Sequence, residues 1–158
     1  MRFAYSSLLP AAPAEVYAMF ADAAFRERVC AEQGSLRTTM SLALTDEGGS
    51  ALIEQLLPVV GIPSYAAKFV GEQIEIRRHE TWHDTSSAAF ALEIPGKPGG
   101  LTGTLKQRAE SEGTGVVYDG DLSVNLPFVG GKIERLVADL FTSALEVETQ
   151  VARAYLSS

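Results

Sequence analysis

One long amphipathic helix at the end of the chain constrains the fold more than any other feature. Apolar residues recur every three or four positions between Lys132 and Leu156. The predicted apolar face comprises Ile133, Leu136, Val137, Leu140, Phe141, Ala144, Val147, Val151 and Tyr155, whereas Lys132, Glu134, Arg135, Asp139, Glu146, Glu148 and Arg153 fall mostly elsewhere. About 25 helical residues make a rod of roughly 37 Å. Because such a rod can bury its apolar face only against a wide partner, we expect a sheet that spans the domain.

The segment before this helix has the pattern of consecutive strands separated by short turns. The predicted strands are Leu36–Leu44, Ala51–Leu57, Glu72–His83, Ser86–Ile94, Leu101–Arg108 and Val116–Leu126. A further strand starts near Phe3 and ends at Pro10, and two short helices follow, of which Pro13 opens the first and Asp22 caps the second. Short connections join antiparallel neighbours. We therefore predict an α+β fold with a strongly curved antiparallel sheet of about seven strands, whose concave face the long C-terminal helix crosses.

Composition limits the classes of protein and partner. The chain has 158 residues, of which 46% are hydrophobic, and this fits one globular domain over residues 1–158. A formal charge of −7 disfavours nucleic acid and anionic membrane surfaces as partners. Neither a signal peptide nor an apolar run long enough to span a membrane is visible. We expect a cytoplasmic protein without integral membrane association, and the pattern leaves its oligomeric state open.

A straight helix and a curved sheet touch along only part of their length, so a cavity can form between them. Apolar cavities of this kind are common sites for small molecules. The residues predicted to line the cavity are Tyr65, Phe69, Arg78, Glu80, Trp82, Phe90, Tyr118 and Phe141. The expected ligand is a hydrophobic small molecule or lipid, and no cofactor is predicted.

The order of these elements resembles the helix-grip fold of the START-like superfamily. The stretch Pro13–Asp22 is similar to the opening signature of that superfamily, in which a proline begins a helix that ends near a phenylalanine and an aspartate. Val60–Gly71, Glu93–Gly99 and Leu126–Lys132 resemble one uncharacterised actinobacterial family within it. The superfamily includes lipid-transfer domains, polyketide cyclases, aromatase/cyclases and pollen-allergen-like carriers. The resemblance implies the fold and transfers no catalytic residue.

The string His79-Glu80-Thr81-Trp82-His83 matches the zinc-protease pattern H-E-x-x-H. That metal site needs a helix, on which residues four apart share one face. Here apolar and polar residues alternate as in a strand, which would place the two histidines about 13 Å apart along the chain. Zinc bonds to nitrogen are only about 2.0–2.1 Å long, so we predict no metal site.

The orientation of Arg78 and Glu80 separates two functions. If Trp82 faces inward, alternation places both charged residues on the inner face as well. They would then be paired near a cavity mouth, where they can orient a polar head group or act as acid and base. The alternative, which we favour from the sequence, is a strand end that leaves the core and exposes both to solvent.

Three functions remain open at this point. The favoured one is a carrier or sensor of a hydrophobic molecule, rather than an enzyme. The first alternative is a cyclase- or dehydratase-type enzyme acting on a hydrophobic or polyketide-like substrate, in which Glu80, Arg78 or Tyr118 moves protons. The second is a protein-interaction module. In the apolar connection Pro58–Gly71, we expect Ser64–Val70 to form a short helix, which either gates the cavity or acts as a static lid.

Overall fold

Seven antiparallel strands form one curved sheet in this computed structural model. It describes residues 1–158, apart from the side chains of residues 69 and 70. The strands are β1 Arg2–Leu9, β2 Arg37–Thr45, β3 Gly48–Pro58, β4 Gln73–Trp82, β5 Ser87–Glu93, β6 Gly100–Glu110 and β7 Gly113–Ser123. Their order across the sheet is β1-β7-β6-β5-β4-β3-β2. Strands β2 to β7 are therefore a meander, and the predicted α+β helix-grip architecture is confirmed.

Four helices complete the fold. They are α1 Pro13–Phe20, α2 Ala23–Glu32, α3 Ser64–Val70 and α4 Gly130–Ser157. The proline at the start of α1 and the Asp22 cap of α2 were both predicted, and the Asp22 carboxylate accepts a hydrogen bond of 2.9 Å from the Ala24 amide. The Tyr155 hydroxyl donates to the other Asp22 oxygen at 2.6 Å, which fixes the end of α4 to the start of α2. No helix of the described chain is long and apolar enough to cross a membrane.

Two strands begin three residues earlier than the alternation predicts, because their hairpins continue through glycines. Strand β3 starts at Gly48 instead of Ala51, and β7 starts at Gly113 instead of Val116. Gly49 has a positive φ of 141°, and a Cβ there would overlap the carbonyl oxygen of Ala43. Glycine allows this close pairing, whereas the sequence alone suggested an ordinary turn.

A pair of glycines forms the seat on which α4 crosses the sheet. Gly103 and Gly120 face each other across β6 and β7, and a Cβ on either would overlap the backbone of the neighbouring strand. Phe90 and Phe3 flank this pair in the same cross-strand row. The Phe141 ring of α4 contacts both, with centroid distances of 6.3 Å to Phe90 and 5.0 Å to Phe3. These contacts place the middle of α4 over β1, β6 and β7.

Candidate functional site

A fully buried ion pair joins α2 to the concave face of the sheet. Both terminal nitrogens of the Arg26 guanidinium take part: Nη1 and Nη2 donate to the two Glu80 oxygens at 2.8 and 2.7 Å. The remaining donor, Arg26 Nε, binds the Phe20 carbonyl oxygen at 2.8 Å, and the Trp82 indole donates to Glu80 at 2.8 Å. Arg26 is 2% exposed and Glu80 is 1% exposed. The interpretation that Glu80 ends in solvent is therefore wrong.

The pair extends through Arg78 to the closing helix. Arg78 donates to Glu80 at 2.7 Å, to Glu148 of α4 at 3.1 Å and to the Tyr118 hydroxyl at 2.8 Å. The Tyr118 hydroxyl in turn donates to the second Glu148 oxygen at 2.6 Å. The Arg78 side chain is 12% exposed, so it too lies mostly inside. We call the six residues Arg26, Arg78, Glu80, Trp82, Tyr118 and Glu148 the buried charged network; its two arginines and two glutamates balance in charge.

The network shifts the pKa values of Arg78, Glu80 and Tyr118 away from neutral pH. Burial by itself raises the pKa of the Glu80 carboxyl, but Arg26 and Arg78 outweigh burial and leave that pKa far below its ordinary value. Burial lowers the pKa of Arg78, and the nearby Tyr118, Glu148 and Glu80 more than reverse this effect. Burial, helped by Glu148, raises the pKa of Tyr118 well above its ordinary value. At neutral pH Glu80 is thus ionised and Tyr118 is protonated.

The aromatic residues predicted as cavity walls pack against one another. Tyr118 contacts Phe90 at 5.7 Å and Phe141 at 6.3 Å between ring centroids, and Trp82 contacts Tyr17 at 5.3 Å. A cleft of about 10 Å³ borders Tyr118, which is room for about one water molecule. The part of the concave face where these rings meet is therefore a packed core.

Another part of the concave face, on β2 and β4, carries apolar side chains that the core does not cover. Met40 and Leu42 of β2 and Ile74 and Ile76 of β4 all point to the concave side and are partly exposed. None belongs to the buried apolar cluster formed by the described residues. Helix α4 packs on β1, β7 and α2 instead. We call these four residues the apolar strip.

Polar and aromatic contacts bridge the gap between α4 and this part of the fold. The Gln33 amide nitrogen donates to the Ala144 carbonyl oxygen of α4 at 3.0 Å, and Gln55 of β3 donates to the Gln33 oxygen at 3.1 Å. Gln55 pairs directly with Ile76 of the strip. At the start of α4, the Lys132 ammonium lies 5.8 Å from the ring centre of Tyr65 on α3. The predicted helix Ser64–Val70 is present, and the side chain of Phe69 lies outside the described residues.

Residues 79–82 of the zinc-like string lie on strand β4, as the alternation predicted, and His83 directly follows its end. His79 and His83 are both exposed on the outer face, opposite to Glu80 and Trp82. Among the described residues no group of three His, Cys, Asp or Glu side chains is arranged to hold a metal ion.

Sequence reasoning missed two members of the network, Glu148 and Arg26. Glu148 was assigned to the polar side of the helix, but it is 6% exposed and faces the core. Its spacing was the available signal, because it follows Phe141 by seven residues and Leu145 by three. Arg26 likewise lies one position after Phe25 and three before Val29, on the inward stripe of α2.

Comparison with known proteins places the chain among uncharacterised relatives. A family model described as a protein of unknown function (DUF2505) matches residues 4–156. Uncharacterised proteins of Mycobacterium tuberculosis and Mycobacterium bovis are 26% identical over 123 residues, which cover 72% of this chain and 71% of each relative.

Solved structures with low sequence identity share the fold. A protein of Thermus thermophilus superposes with a TM-score of 0.65 at 19% identity, covering 98% of this chain and 95% of the other. The aromatase/cyclase Zhui of a Streptomyces species gives 0.66 at 6% identity, with 98% and 92% covered. The di-domain aromatase/cyclase StfQ of the steffimycin biosynthetic pathway gives 0.68 at 12% identity, covering 97% of this chain and half of that protein. At these identities the similarity shows the helix-grip fold alone.

Proposed function

Since the chain belongs to this DUF2505 family of unknown function, we propose its function from the geometry: it binds a hydrophobic small molecule or lipid. The site is the apolar strip on β2 and β4, together with the facing half of α4. One observation carries this proposal. Met40, Leu42, Ile74 and Ile76 lie on the concave face, where the fold normally buries side chains, yet they remain partly exposed and outside the core.

Covering this strip would stabilise a complex by removing apolar surface from water. The helix side of the site would be Ile133, Leu136 and Val137, which are also partly exposed. The aromatic residues Trp82, Phe90, Tyr118 and Phe141 would serve as the closed end of the site and not as its walls, because they already pack against one another. Ligand entry then requires α3 and the part of α4 that faces the strip to separate from the sheet.

The contacts of Gln33 and Tyr65 are suited to control that separation. Gln33 bridges α4 and β3 with two neutral hydrogen bonds, each of which contributes about 1 kcal/mol to stability. Tyr65 connects α3 to α4 by one cation–π contact. Breaking these contacts leaves the aromatic core intact. We therefore keep the gate function of Ser64–Val70 as part of the proposal, with Tyr65 and Phe69 as candidate contacts of the ligand.

The two alternative functions have less support. A cyclase-type enzyme needs a group that exchanges protons near neutral pH, whereas the directions of the pKa shifts keep Glu80 ionised and Tyr118 protonated. A protein-interaction module needs a contiguous exposed apolar surface. The most exposed large apolar residues, Val60 and Phe128, lie in two separate connections of the chain.

We also propose that residues 1–158 act as one domain. Strand β1 pairs with β7 over its full length, and α4 packs on β1 as well as on α2. The two ends of the chain thus contribute to the same sheet and the same core.

Two substitutions of matched chemistry test the site. Ile76→Glu places a charge in the apolar strip, and Val117→Glu places the same charge at an exposed apolar position of β7. We expect wild-type protein and Val117→Glu to enhance Nile red fluorescence and to retain a species from a lipid extract in native mass spectrometry. Ile76→Glu should lose both signals while keeping its circular dichroism spectrum. If wild-type protein neither binds Nile red nor retains any lipid, the proposed function is wrong.

A further inference from the structure

The two carboxylates of the buried charged network are held very differently. Glu80 accepts four hydrogen bonds, two from Arg26 and one each from Arg78 and Trp82. Glu148 accepts two, one from Arg78 and one from the Tyr118 hydroxyl. Glu80 would therefore stay fully satisfied if Glu148 left, whereas Glu148 holds α4 to the network by two contacts.

Removal of Glu148 would leave a site prepared for another carboxylate. Arg78 Nη1 and the Tyr118 hydroxyl now converge on its two oxygens, at 3.1 and 2.6 Å. Without Glu148, the arginines Arg26 and Arg78 face only Glu80, so the interior holds one excess positive charge. A buried unpaired charge is costly, and a monoanion in the same place removes that cost. A neutral molecule does not.

This site adjoins the apolar strip. Arg78 and Ile76 point to the same face of β4 and are two residues apart, which is about 6.6 Å along a strand. Met40 lies in the same cross-strand row as Arg78, with Ile53 between them. An apolar chain that covers the strip therefore ends next to the Arg78 guanidinium, whose side chain is still 12% exposed.

The displaced Glu148 has to leave the core. It borders a cleft of about 10 Å³, lined mainly by apolar side chains, which has room for about one water molecule and none for a carboxylate. The Glu148 side chain therefore turns out to solvent as α4 moves, and the two arginines then face Glu80 and the ligand carboxylate.

We propose that the ligand is an amphipathic carboxylic acid whose carboxylate replaces Glu148 at Arg78 and Tyr118, while its apolar chain lies on the strip. Glu148 is then an internal competitor that neutralises Arg78 in the empty protein. This inference rests on the proposed binding of a hydrophobic molecule and adds its chemical class.

Dodecanoate and dodecanol form a matched pair of probes, because they share one chain and differ in the head group. We expect calorimetry at neutral pH to show wild-type protein binding dodecanoate at least about tenfold more tightly than dodecanol, the effect of one charge-assisted hydrogen bond. Trp82, the one tryptophan of the chain, donates to Glu80, so its fluorescence should change with dodecanoate.

Glu148→Gln removes the competing charge and should tighten dodecanoate binding about tenfold without changing dodecanol binding. Glu146→Gln makes the same change at an exposed position of α4 and should alter neither. If wild-type protein binds dodecanoate and dodecanol equally tightly, the carboxylate site is wrong, and this result does not depend on whether Glu148→Gln folds. The proposed function still holds in that case if Nile red binds. Failure of both probes and Nile red overturns the proposed function together with this inference.

Discussion

Breaking the Arg26–Glu80 pair is expected to be the most destabilising single change in the buried charged network. Arg26→Met keeps most of the side-chain volume but leaves Glu80 with Arg78 and Trp82 alone. Removing one partner of a fully buried pair costs about 3–5 kcal/mol, and here Arg78 alone is left to balance both Glu80 and Glu148. Arg26 also donates to the Phe20 carbonyl oxygen, and that buried acceptor would lose its partner as well.

Urea denaturation followed by circular dichroism measures this loss of unfolding free energy. In thermal unfolding, a loss of 3–5 kcal/mol lowers the melting temperature of a domain of this size by about 6–20 °C. Arg28→Met is the matched control, since Arg28 is exposed on the same helix and its replacement should change stability by less than about 0.5 kcal/mol.

A double-mutant cycle separates the pair from simple loss of packing. Glu80→Gln should also destabilise the protein, but the double variant Arg26→Met/Glu80→Gln should lose less than the sum of the two single changes. We expect a coupling free energy of at least about 1–3 kcal/mol, as is usual for residues in one hydrogen-bonded network. If the two losses simply add, or if Arg26→Met costs no more than Arg28→Met, the pair does not hold α2 to the sheet as argued.

Three further measurements test other parts of the structure. The folded state lowers the pKa of Glu80 from its ordinary 4.5, so the unfolded chain binds the proton first as the pH falls. Urea denaturation at a series of pH values should therefore show the free energy of unfolding decreasing as the pH falls below about 4.5, and decreasing less steeply in Arg26→Met. Gly120→Ala should prevent stable folding, as measured by circular dichroism. Gly131→Ala adds a methyl group that meets no neighbouring atom, so it should raise the free energy of unfolding by about 0.5–1 kcal/mol. Equal effects of the two substitutions would contradict the tight pairing at Gly120. Phe141→Ala should cost about 3–5 kcal/mol in urea denaturation, and a loss below about 1 kcal/mol would mean that its ring does not seat α4.

The architecture was predictable because two periodicities are uninterrupted. The repeat of three and four residues runs from Ile133 to Tyr155, and the period of two marks each strand. The largest errors at strand starts fall where glycine extends the pairing, as at Gly48 and Gly113, since a glycine in a sequence is read as a turn and carries no side chain to show its face. Strand β7 also ends at Ser123, three residues before the predicted Leu126.

The site was predictable only in part, for a different physical reason. Alternation placed Arg78 and Glu80 on the inner face, but the rule that charges avoid the core argued for exposure. That rule fails when distant residues supply partners, and Arg26 and Glu148 lie 54 and 68 residues from Glu80. A single sequence does not show these pairings, although each charge at an apolar-stripe position indicates that a partner exists.

Two parts of the buried charged network have different structural roles, because only one of them includes α4. An apolar contact between a helix and a sheet is not directional, so apolar burial alone allows α4 several positions. A shift of α4 by one turn, 5.4 Å, would separate Glu148 from both Arg78 and Tyr118, and the network therefore selects one position. The Arg26–Glu80 pair lies outside α4 and survives such a shift.

Stability and ligand response therefore depend on different halves of the same network. Arg26→Met should change the free energy of unfolding strongly, because Arg26 and Glu80 are both fully buried. Glu148→Gln should change ligand affinity and cost less stability than Arg26→Met, because Arg78 keeps its contacts with Glu80 and Tyr118 and is partly exposed. If the closing helix moves to admit a ligand, Glu148 loses its two hydrogen bonds, whereas Glu80 keeps its four.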